Sequence, residues 1–297
     1  MQNNSRKYAG TWTALITPFT SDGKLDENAL RKLVQRQIAN GVTGIVPVGT
    51  TGESPTTTSE EDYKIFQIVV EEAKGKVMVM AGSGSNCTEE AVEYTTNAKK
   101  AGADACLIVC PYYNKPTQEG LRLHYLEIAK VGIPIIVYNI KGRTGINMET
   151  STLMELAKNP MIVGVKEASG DLNQMKDVIE KRPDNFTVLS GDDGLTLDLI
   201  KLGGDGVISV ASNIEPAKVS EMVEYALKGN LEEAAKINDY LADMFKKLFI
   251  ETNPIPVKYC AHKMGLCELN YRLPMCPPSK ASMSVLDELL KNYNLVG

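Results

Sequence analysis

Histidine is scarce in this chain: only two occur in 297 residues, His124 and His262. Both fall in segments whose spacing of apolar residues predicts helices, away from the strand ends. A serine-histidine-aspartate device needs an imidazole beside its nucleophile, and metal-dependent hydrolysis needs several ligands together. The sequence therefore argues against both of these hydrolytic mechanisms.

Aromatic residues are also few, at 6% of the chain, with a single tryptophan. Glycoside hydrolysis requires a pair of carboxylic acids, for which Glu53 and Glu167 are the available candidates. Neither the spacing of these two residues nor any aromatic platform for a sugar supports that chemistry. Glycoside hydrolysis is therefore disfavoured.

An excess of positive charge is missing as well. The chain has 32 Lys and Arg against 37 Asp and Glu, a formal net charge of −5. Nucleic acids and acidic membrane surfaces favour basic patches, so neither is an expected partner. No apolar run reaches the length of a membrane span, and Met1 to Tyr8 lacks the apolar core of an export signal. These absences predict a cytoplasmic protein.

The six cysteines form no C-x-x-C pair of the kind common in structural zinc sites. Without an export signal, reduced thiols are the expectation. Cys260, His262, Cys267 and Cys276 have side chains typical of zinc ligands, but their spacing favours packed or surface thiols. We therefore expect neither a metal nor a cofactor.

Strand-like apolar runs alternate with helical patterns from Gly10 onwards, the pattern of βα units. Eight such units over roughly 225 residues predict an α/β fold of the (β/α)8 TIM-barrel type. A doubly wound open sheet is the alternative, but no G-x-G-x-x-G motif follows the first strand. The expected strands are Trp12–Thr17, Gly44–Val48, Val77–Ala81, Ala105–Val109, Pro134–Tyr138, a sixth within 161–170, Phe186–Leu189 and Gly206–Val210.

Helices alone follow the eighth unit. We expect residues 1–228 to form the catalytic barrel and residues 229–297 a C-terminal helical region. No linker rich in proline, glycine or serine separates the two, so the helical region should pack on the barrel.

One lysine lies inside a strand-like apolar run, the segment MIVGVKEASG from Met161 to Gly170. Apolar surroundings disfavour an ammonium and lower the pKa of a lysine from about 10.4 towards roughly 7–8, which frees the amine to attack a ketone. Lys166 is therefore a candidate Schiff-base lysine. The alternative is an ion pair with a carboxylate, although the neighbouring Glu167 should face the other side of a strand.

Other strand ends carry side chains that suit imine chemistry, and active sites of barrels lie at these ends. The loop Gly49–Gly52 offers backbone N–H groups and hydroxyls that suit a small carboxylate. Tyr112 and Tyr113 follow the fourth strand, Tyr138 ends the fifth, and Arg143 lies in the next loop. Attack of Lys166 on a ketone, with proton transfer by Tyr138, is the chemistry that remains.

Six segments resemble motifs of the dihydrodipicolinate synthase and N-acetylneuraminate lyase family of pyruvate-dependent class I aldolases. The resemblance covers nearly the whole chain. It implies a homotetrameric barrel enzyme, a dimer of dimers, that condenses pyruvate with L-aspartate 4-semialdehyde to 4-hydroxy-tetrahydrodipicolinate in lysine and diaminopimelate biosynthesis. The segments are GTTGES at 49–54, PYYNKPTQEG at 111–120, YNIKGRTG at 138–145, GVKEASGD at 164–171, SGDD at 190–193 and NPIPVK at 253–258.

The resemblance implies a catalytic role for four residues. Lys166 is similar to the lysine that forms the imine with pyruvate, and Tyr138 to the general acid/base. Thr50 and Tyr113 look like the partners of Tyr138 in a proton relay. The family supplies the second of these across a subunit interface, so Tyr113 should act in the neighbouring subunit's site.

Four further residues resemble those that hold substrate. Thr51 should bind the pyruvate carboxylate, and Ile208 and Gly191 should line the pyruvate pocket. The Arg143 guanidinium suits an aldehyde that carries a carboxylate better than a neutral sugar, because it binds a carboxylate with two parallel hydrogen bonds.

The loop before Arg143 departs from the family pattern N-V-P-x-R-T-G: Lys141-Gly142 brings a cation and a flexible glycine where the family has a rigid proline. The alternatives are therefore another pyruvate-dependent aldolase, such as a sugar-acid or 2-oxo-acid lyase, and a non-catalytic ligand-sensing barrel.

The resemblance also points to a regulatory site for lysine at a dimer interface. Ser59 and Asp62 stand where lysine-sensitive members often have histidines. The residues that match regulatory positions are Ser54, Pro55, Asn86, Glu90 and Tyr112.

Overall fold

Eight parallel strands form a closed barrel in a computed structural model that describes residues 6–297. Each strand pairs with the next one in sequence and the eighth pairs with the first, so the prediction of a TIM barrel is confirmed. Residues 1–5, which belong to the segment Met1 to Tyr8 for which we expect no export signal, lie outside the described residues. The strands are Gly10–Ala14 (β1), Gly44–Val46 (β2), Met78–Gly82 (β3), Ala105–Val109 (β4), Ile135–Asn139 (β5), Ile162–Glu167 (β6), Thr187–Ser190 (β7) and Gly206–Ser209 (β8).

Helices follow the strands and surround the barrel. Within residues 6–297, no helix is long and apolar enough to cross a membrane. The helices are Glu27–Ala39 (α1), Ser59–Ala73 (α2), Thr88–Ala101 (α3), Gln118–Ala129 (α4), Lys141–Thr144 (α5), Thr150–Leu156 (α6), Leu172–Lys181 (α7), Thr196–Lys201 (α8), Pro216–Leu227 (α9), Leu231–Lys247 (α10), Ile255–Lys263 (α11) and Lys280–Asn292 (α12).

Alternation of side chains along the strands produces two apolar cores. Outward-facing residues pack against the helices, while inward-facing residues fill the barrel, among them Trp12, Ile136 and Ile208. Trp12 fits because residue 44 is glycine: a Cβ there would lie 2.3 Å from the indole ring. Buried side chains therefore fill the barrel interior, and the cavity that the inward-facing strand residues line lies at the C-terminal ends of the strands.

The first two strands end earlier than the sequence predicts. β1 stops because the N–H of Ile16 donates to the side chain of Asn213, at 3.1 Å, and not to a neighbouring strand. Val48 has a φ of 55°, which turns the chain out of the extended conformation after β2. Both turns lie on the rim of the barrel where the candidate site residues gather.

The C-terminal helices are attached to this same rim. Lys258 of α11 pairs with Glu53 in the loop after β2, with 2.5 Å between Nζ and Oε1. The Arg272 guanidinium donates to the carbonyl oxygens of Gly23 and Thr56 and to the carboxylate of Glu61. Lys258 and Arg272 therefore attach the C-terminal region to the rim at the strand ends, while a division into two regions at residue 228 stays a prediction.

Candidate active site

Most of the sequence-predicted site residues meet in a small cavity, about 80 Å³ in volume, at the C-terminal ends of the strands. The loop after β2, the end of β5, the short helix α5, β6 and the loop after β7 each contribute to its wall. The predicted residues that line it are Thr50, Thr51, Ser54, Tyr138, Arg143, Lys166 and Gly191.

Lys166 lies at the inner face of β6 and is 6% exposed. It stands in register with Tyr138 on β5, and its Nζ is 4.2 Å from the centre of the Tyr138 ring. Burial lowers the pKa of Lys166 to about 7, with the positive charge of Arg143 acting in the same direction and Asp193 opposing it. A large share of the amine is therefore neutral and nucleophilic near pH 7.

Glu167 does not neutralise this lysine. Its carboxylate faces the opposite side of β6, where it accepts hydrogen bonds from the side chain of Asn139 and from the N–H of Ser169. Within residues 6–297, Lys166 forms no ion pair with any carboxylate at 4 Å or less. The structure therefore contradicts the alternative in which Lys166 serves a structural ion pair.

Gly191 makes room for the lysine side chain. A Cβ at this position would lie 2.5 Å from the Cβ of Ala168 and 3.0 Å from the Cε of Lys166. A side chain at position 191 would therefore force Ala168, and with it the adjoining Lys166 side chain, to shift. Two residues further on, buried Asp193 accepts hydrogen bonds from the N–H groups of Val210 and Ala211, both at 3.0 Å, which ties the loop after β7 to the end of β8.

Tyr138 is a protonated phenol at neutral pH. Burial raises its pKa to about 12, against the opposing effects of the Arg143 charge and of the nearby Thr50 hydroxyl. A protonated hydroxyl can donate one proton while it accepts another from a neighbouring hydroxyl, and both residues line the same cavity. Tyr138 and Thr50 therefore form a hydroxyl pair directly beside the amine of Lys166.

Arg143 and Thr51 are both held by Asn253, a residue of the C-terminal region. The Nη2 of Arg143 donates to the backbone carbonyl of Asn253 at 2.9 Å, and the Nδ2 of Asn253 donates to the Oγ1 of Thr51 at 3.0 Å. Arg143 projects from α5, the single helical turn that contains the unusual Lys141-Gly142. Lys141 and Gly142 are both exposed, so the departure from the family pattern lies on the outer side of the turn.

Two of the predicted catalytic and substrate-binding residues lie outside the cavity. Tyr113 is 89% exposed and does not line the cavity of its own chain. Ile208 is fully buried in the barrel interior, and Val210, two residues later on the inner side, lines the cavity in its stead. Asn253 and Phe249 line the cavity as well. The segment NPIPVK, which begins at Asn253, is a sequence signal for that residue, and no signal points to Phe249.

A second cavity, about 420 Å³, adjoins the first and contains most of the predicted regulatory residues: Ser54, Pro55, Glu90 and Tyr112 line it. Asn86 does not line it and donates to the carbonyl of Tyr112 at 3.2 Å. Asp62 lies in its wall, and burial raises the pKa of this carboxyl to about 7. Ser59 lies further away and donates to Glu93.

The residues with zinc-type side chains near the C-terminus are dispersed. Cys260 is buried, Cys276 is exposed, and His262 Nδ1 lies 3.0 Å from the carbonyl oxygen of Cys267. In the part of the chain that the structure describes, no three His, Cys, Asp or Glu side chains are grouped to hold a metal ion.

A closed barrel with an unpaired, buried amine beside a hydroxyl pair has the arrangement of a Schiff-base-forming barrel enzyme. Comparison with known proteins agrees. The model of the dihydrodipicolinate synthetase family matches residues 7–293, and the chain belongs to this family.

Individual relatives are similar over almost their full length. A 4-hydroxy-tetrahydrodipicolinate synthase of Chlorobium phaeobacteroides is 50% identical over 295 residues, which are 99% of this chain and 100% of the relative. A crystal structure of the chloride-inhibited dihydrodipicolinate synthase of Acinetobacter baumannii complexed with pyruvate has a TM-score of 0.95 and 42% identity, covering 97% of this chain and 99% of that one. The enzyme of Cyanidioschyzon merolae with lysine bound has a TM-score of 0.95 and 40% identity, covering 98% and 100%.

Proposed function

We propose that this protein is a lyase that condenses pyruvate with L-aspartate 4-semialdehyde, through an imine on Lys166, to give 4-hydroxy-tetrahydrodipicolinate for lysine and diaminopimelate biosynthesis. The observation that carries the proposal is the amine of Lys166, buried without a carboxylate partner and with a pKa of about 7. The name of the Chlorobium relative and the pyruvate complex of the Acinetobacter enzyme support it.

The chemistry begins with attack of the neutral Lys166 amine on the keto carbon of pyruvate. The resulting carbinolamine must lose water, which requires a proton for its departing hydroxyl; Tyr138, linked to Thr50, supplies it. Loss of a methyl proton then converts the iminium into an enamine, the nucleophile for the aldehyde. A chain of hydroxyls moves these protons without placing a full negative charge beside the iminium.

The carboxylate groups of the substrates fit the remaining wall of the cavity. Thr51 and the N–H groups of its loop bind the carboxylate of pyruvate, at a pocket bounded by Gly191 and by the β8 end that carries Ile208. Arg143 binds the carboxylate of the aldehyde, since only one of its nitrogens is engaged by the Asn253 carbonyl in the described structure.

The proton relay is completed by Tyr113 of a second subunit in a homotetramer, a dimer of dimers. Tyr113 is 89% exposed and lies in the segment PYYNKPTQEG that follows β4. Its exposure supports this assignment, because an exposed tyrosine on a loop with a constrained backbone can reach the site of a neighbouring subunit.

The second cavity binds the amino acid lysine as a regulator. Its acidic wall, with Glu90 and Asp62, suits an ammonium group, and the Cyanidioschyzon enzyme was solved with lysine bound.

The protein acts in the cytoplasm, where its buried cysteines, Cys106, Cys110 and Cys260, remain thiols. The catalytic barrel comprises residues 1–228 and the helical region residues 229–297.

The test is an assay of purified enzyme with pyruvate and either L-aspartate 4-semialdehyde or a set of sugar aldehydes. We expect turnover with the semialdehyde at least about a hundredfold faster, since a missing carboxylate leaves the Arg143 guanidinium unpaired. The R143A variant should lose this preference, while K141A, which alters the exposed neighbour on α5, should keep it. Faster turnover of a sugar aldehyde would instead establish a sugar-acid lyase.

A further inference from the structure

Asn253 lies between the two groups that bind substrate carboxylates, although it comes from the C-terminal region. It is 5% exposed, lines the cavity, and contacts Thr51 through its side chain and Arg143 through its backbone carbonyl. No role was assigned to this residue from the sequence. Its two contacts are separable, because a substitution changes the side chain but leaves the carbonyl in place.

The direction of the hydrogen bond to Thr51 decides what the threonine can do. An amide nitrogen only donates, so Oγ1 of Thr51 acts as the acceptor in this bond. A hydroxyl has one hydrogen, and within residues 6–297 the hydroxyl of Thr51 donates to no protein acceptor. The hydrogen therefore remains available for an acceptor in the cavity, such as a carboxylate oxygen.

The position of Asn253 is fixed by a buried ion pair. Lys258, five residues later, is fully buried and pairs with Glu53, which lies in the same loop as Thr51. The loop after β2 and the segment leading into α11 are thus joined at two points, Thr51 with Asn253 and Glu53 with Lys258. This double attachment keeps the amide nitrogen aimed at the hydroxyl.

We propose that Asn253 is a positioning residue for the pyruvate half of the reaction: its amide holds the Thr51 hydroxyl as an acceptor and so directs the hydroxyl hydrogen to the pyruvate carboxylate. The inference rests on the proposed function. It predicts that the side chain of Asn253 governs the KM for pyruvate, whereas the aldehyde site keeps Arg143 through the unchanged backbone carbonyl.

The first test replaces Asn253 with residues of similar size. In N253D the carboxylate only accepts, so Thr51 must donate to it and no longer to pyruvate; N253L removes the contact altogether. Both variants should raise the KM for pyruvate about tenfold or more, as expected for one lost hydrogen bond to a charged group, and change the KM for the aldehyde less than about twofold.

A double-mutant cycle identifies the route of the effect. In a T51V background, where no hydroxyl remains to be oriented, N253L should change the KM for pyruvate by less than about twofold. Thermal unfolding of each variant establishes that the protein is folded. N238D is the matched control: within residues 6–297 the side-chain oxygens of Asn253 and of Asn238 on α10 are both buried without a hydrogen-bond partner, but Asn238 lies outside the cavity wall.

Two results would overturn the proposal: a wild-type KM for pyruvate in N253D and N253L, or an equally large effect of N253L with and without the Thr51 hydroxyl. Reduction of the wild-type protein with borohydride in the presence of pyruvate separates this failure from failure of the proposed function. An adduct together with unaffected variants refutes the role of Asn253 alone, whereas the absence of an adduct refutes both.

Discussion

Two lysines are buried at the rim of the barrel, and they differ in one respect that decides their roles. Lys166 is 6% exposed and Lys258 is fully buried, and the Nζ of each lies 4.2 Å from the centre of an aromatic ring, Tyr138 and Phe19 respectively. Lys258 has a carboxylate partner, Glu53, at 2.5 Å. Lys166 has none within residues 6–297, and its side chain lines a cavity.

The difference shows that burial alone does not make a lysine reactive. Burial lowers the pKa of both residues, but the adjacent Glu53 carboxylate opposes this effect at Lys258 and holds the ammonium in a fixed pair. At Lys166 the opposing Asp193 is a weaker influence than burial, so the pKa falls to about 7. The amine that we propose to react is the one that is buried, has no carboxylate partner within residues 6–297 and lines a cavity.

The largest expected effect separates the two lysines by stability. K258M should lower the free energy of unfolding by about 3–5 kcal/mol, because it leaves the carboxylate of Glu53 buried without a partner. K166M, which removes an unpaired buried cation, should be neutral or stabilising. Urea denaturation of both variants measures the difference, and the double variant E53Q/K258M should recover part of the loss. Equal destabilisation by K258M and K166M would contradict the comparison.

A smaller effect concerns pH. Because the pKa of Lys166 is depressed to about 7, its neutral form is lost as pH falls below that value. We expect kcat/KM for pyruvate to fall about tenfold per pH unit in that range and to level off above it. R143Q should move the inflection to higher pH, since the charge of Arg143 is one of the causes of the depression. K263Q, near Tyr259 and remote from the cavity, should leave it unchanged. A profile without an inflection between pH 6 and 8 would refute the assignment.

The sequence placed the candidate residues at the strand ends because a β-strand and its loop are local, and the structure brings them to one cavity. Lys166, Tyr138 and the Thr50-Thr51 loop each follow from a short segment, and their convergence follows from the barrel, in which strand ends share one rim. The sequence also placed Glu167 on the face opposite Lys166, and the structure confirms that orientation.

Contacts between distant segments could not be predicted in this way. Thr51 and Asn253 are 202 positions apart, and Glu53 and Lys258 are 205 apart. No periodic pattern in residues 229–297 indicates that this region returns to the rim. The sequence suggests for Glu53 only the role of an acid in glycoside hydrolysis, whereas in the structure its carboxylate pairs with Lys258. The sequence predicts the ends of β1 and β2 further along the chain than the structure has them. The contact with Asn213 and the positive φ of Val48 that end these strands arise only when the loops at the strand ends come together in the folded barrel.

The most direct test of the account is reduction of the protein with borohydride in the presence of pyruvate, followed by mass spectrometry of its peptides. Reduction of an imine converts it into a stable amine, so the modified lysine keeps the three-carbon unit of pyruvate. The account predicts this adduct on Lys166, none on Lys258, and none on any lysine of K166M. An unmodified Lys166, or an adduct that forms equally in K166M, would contradict the claim that the unpaired amine at the end of β6 performs the reaction.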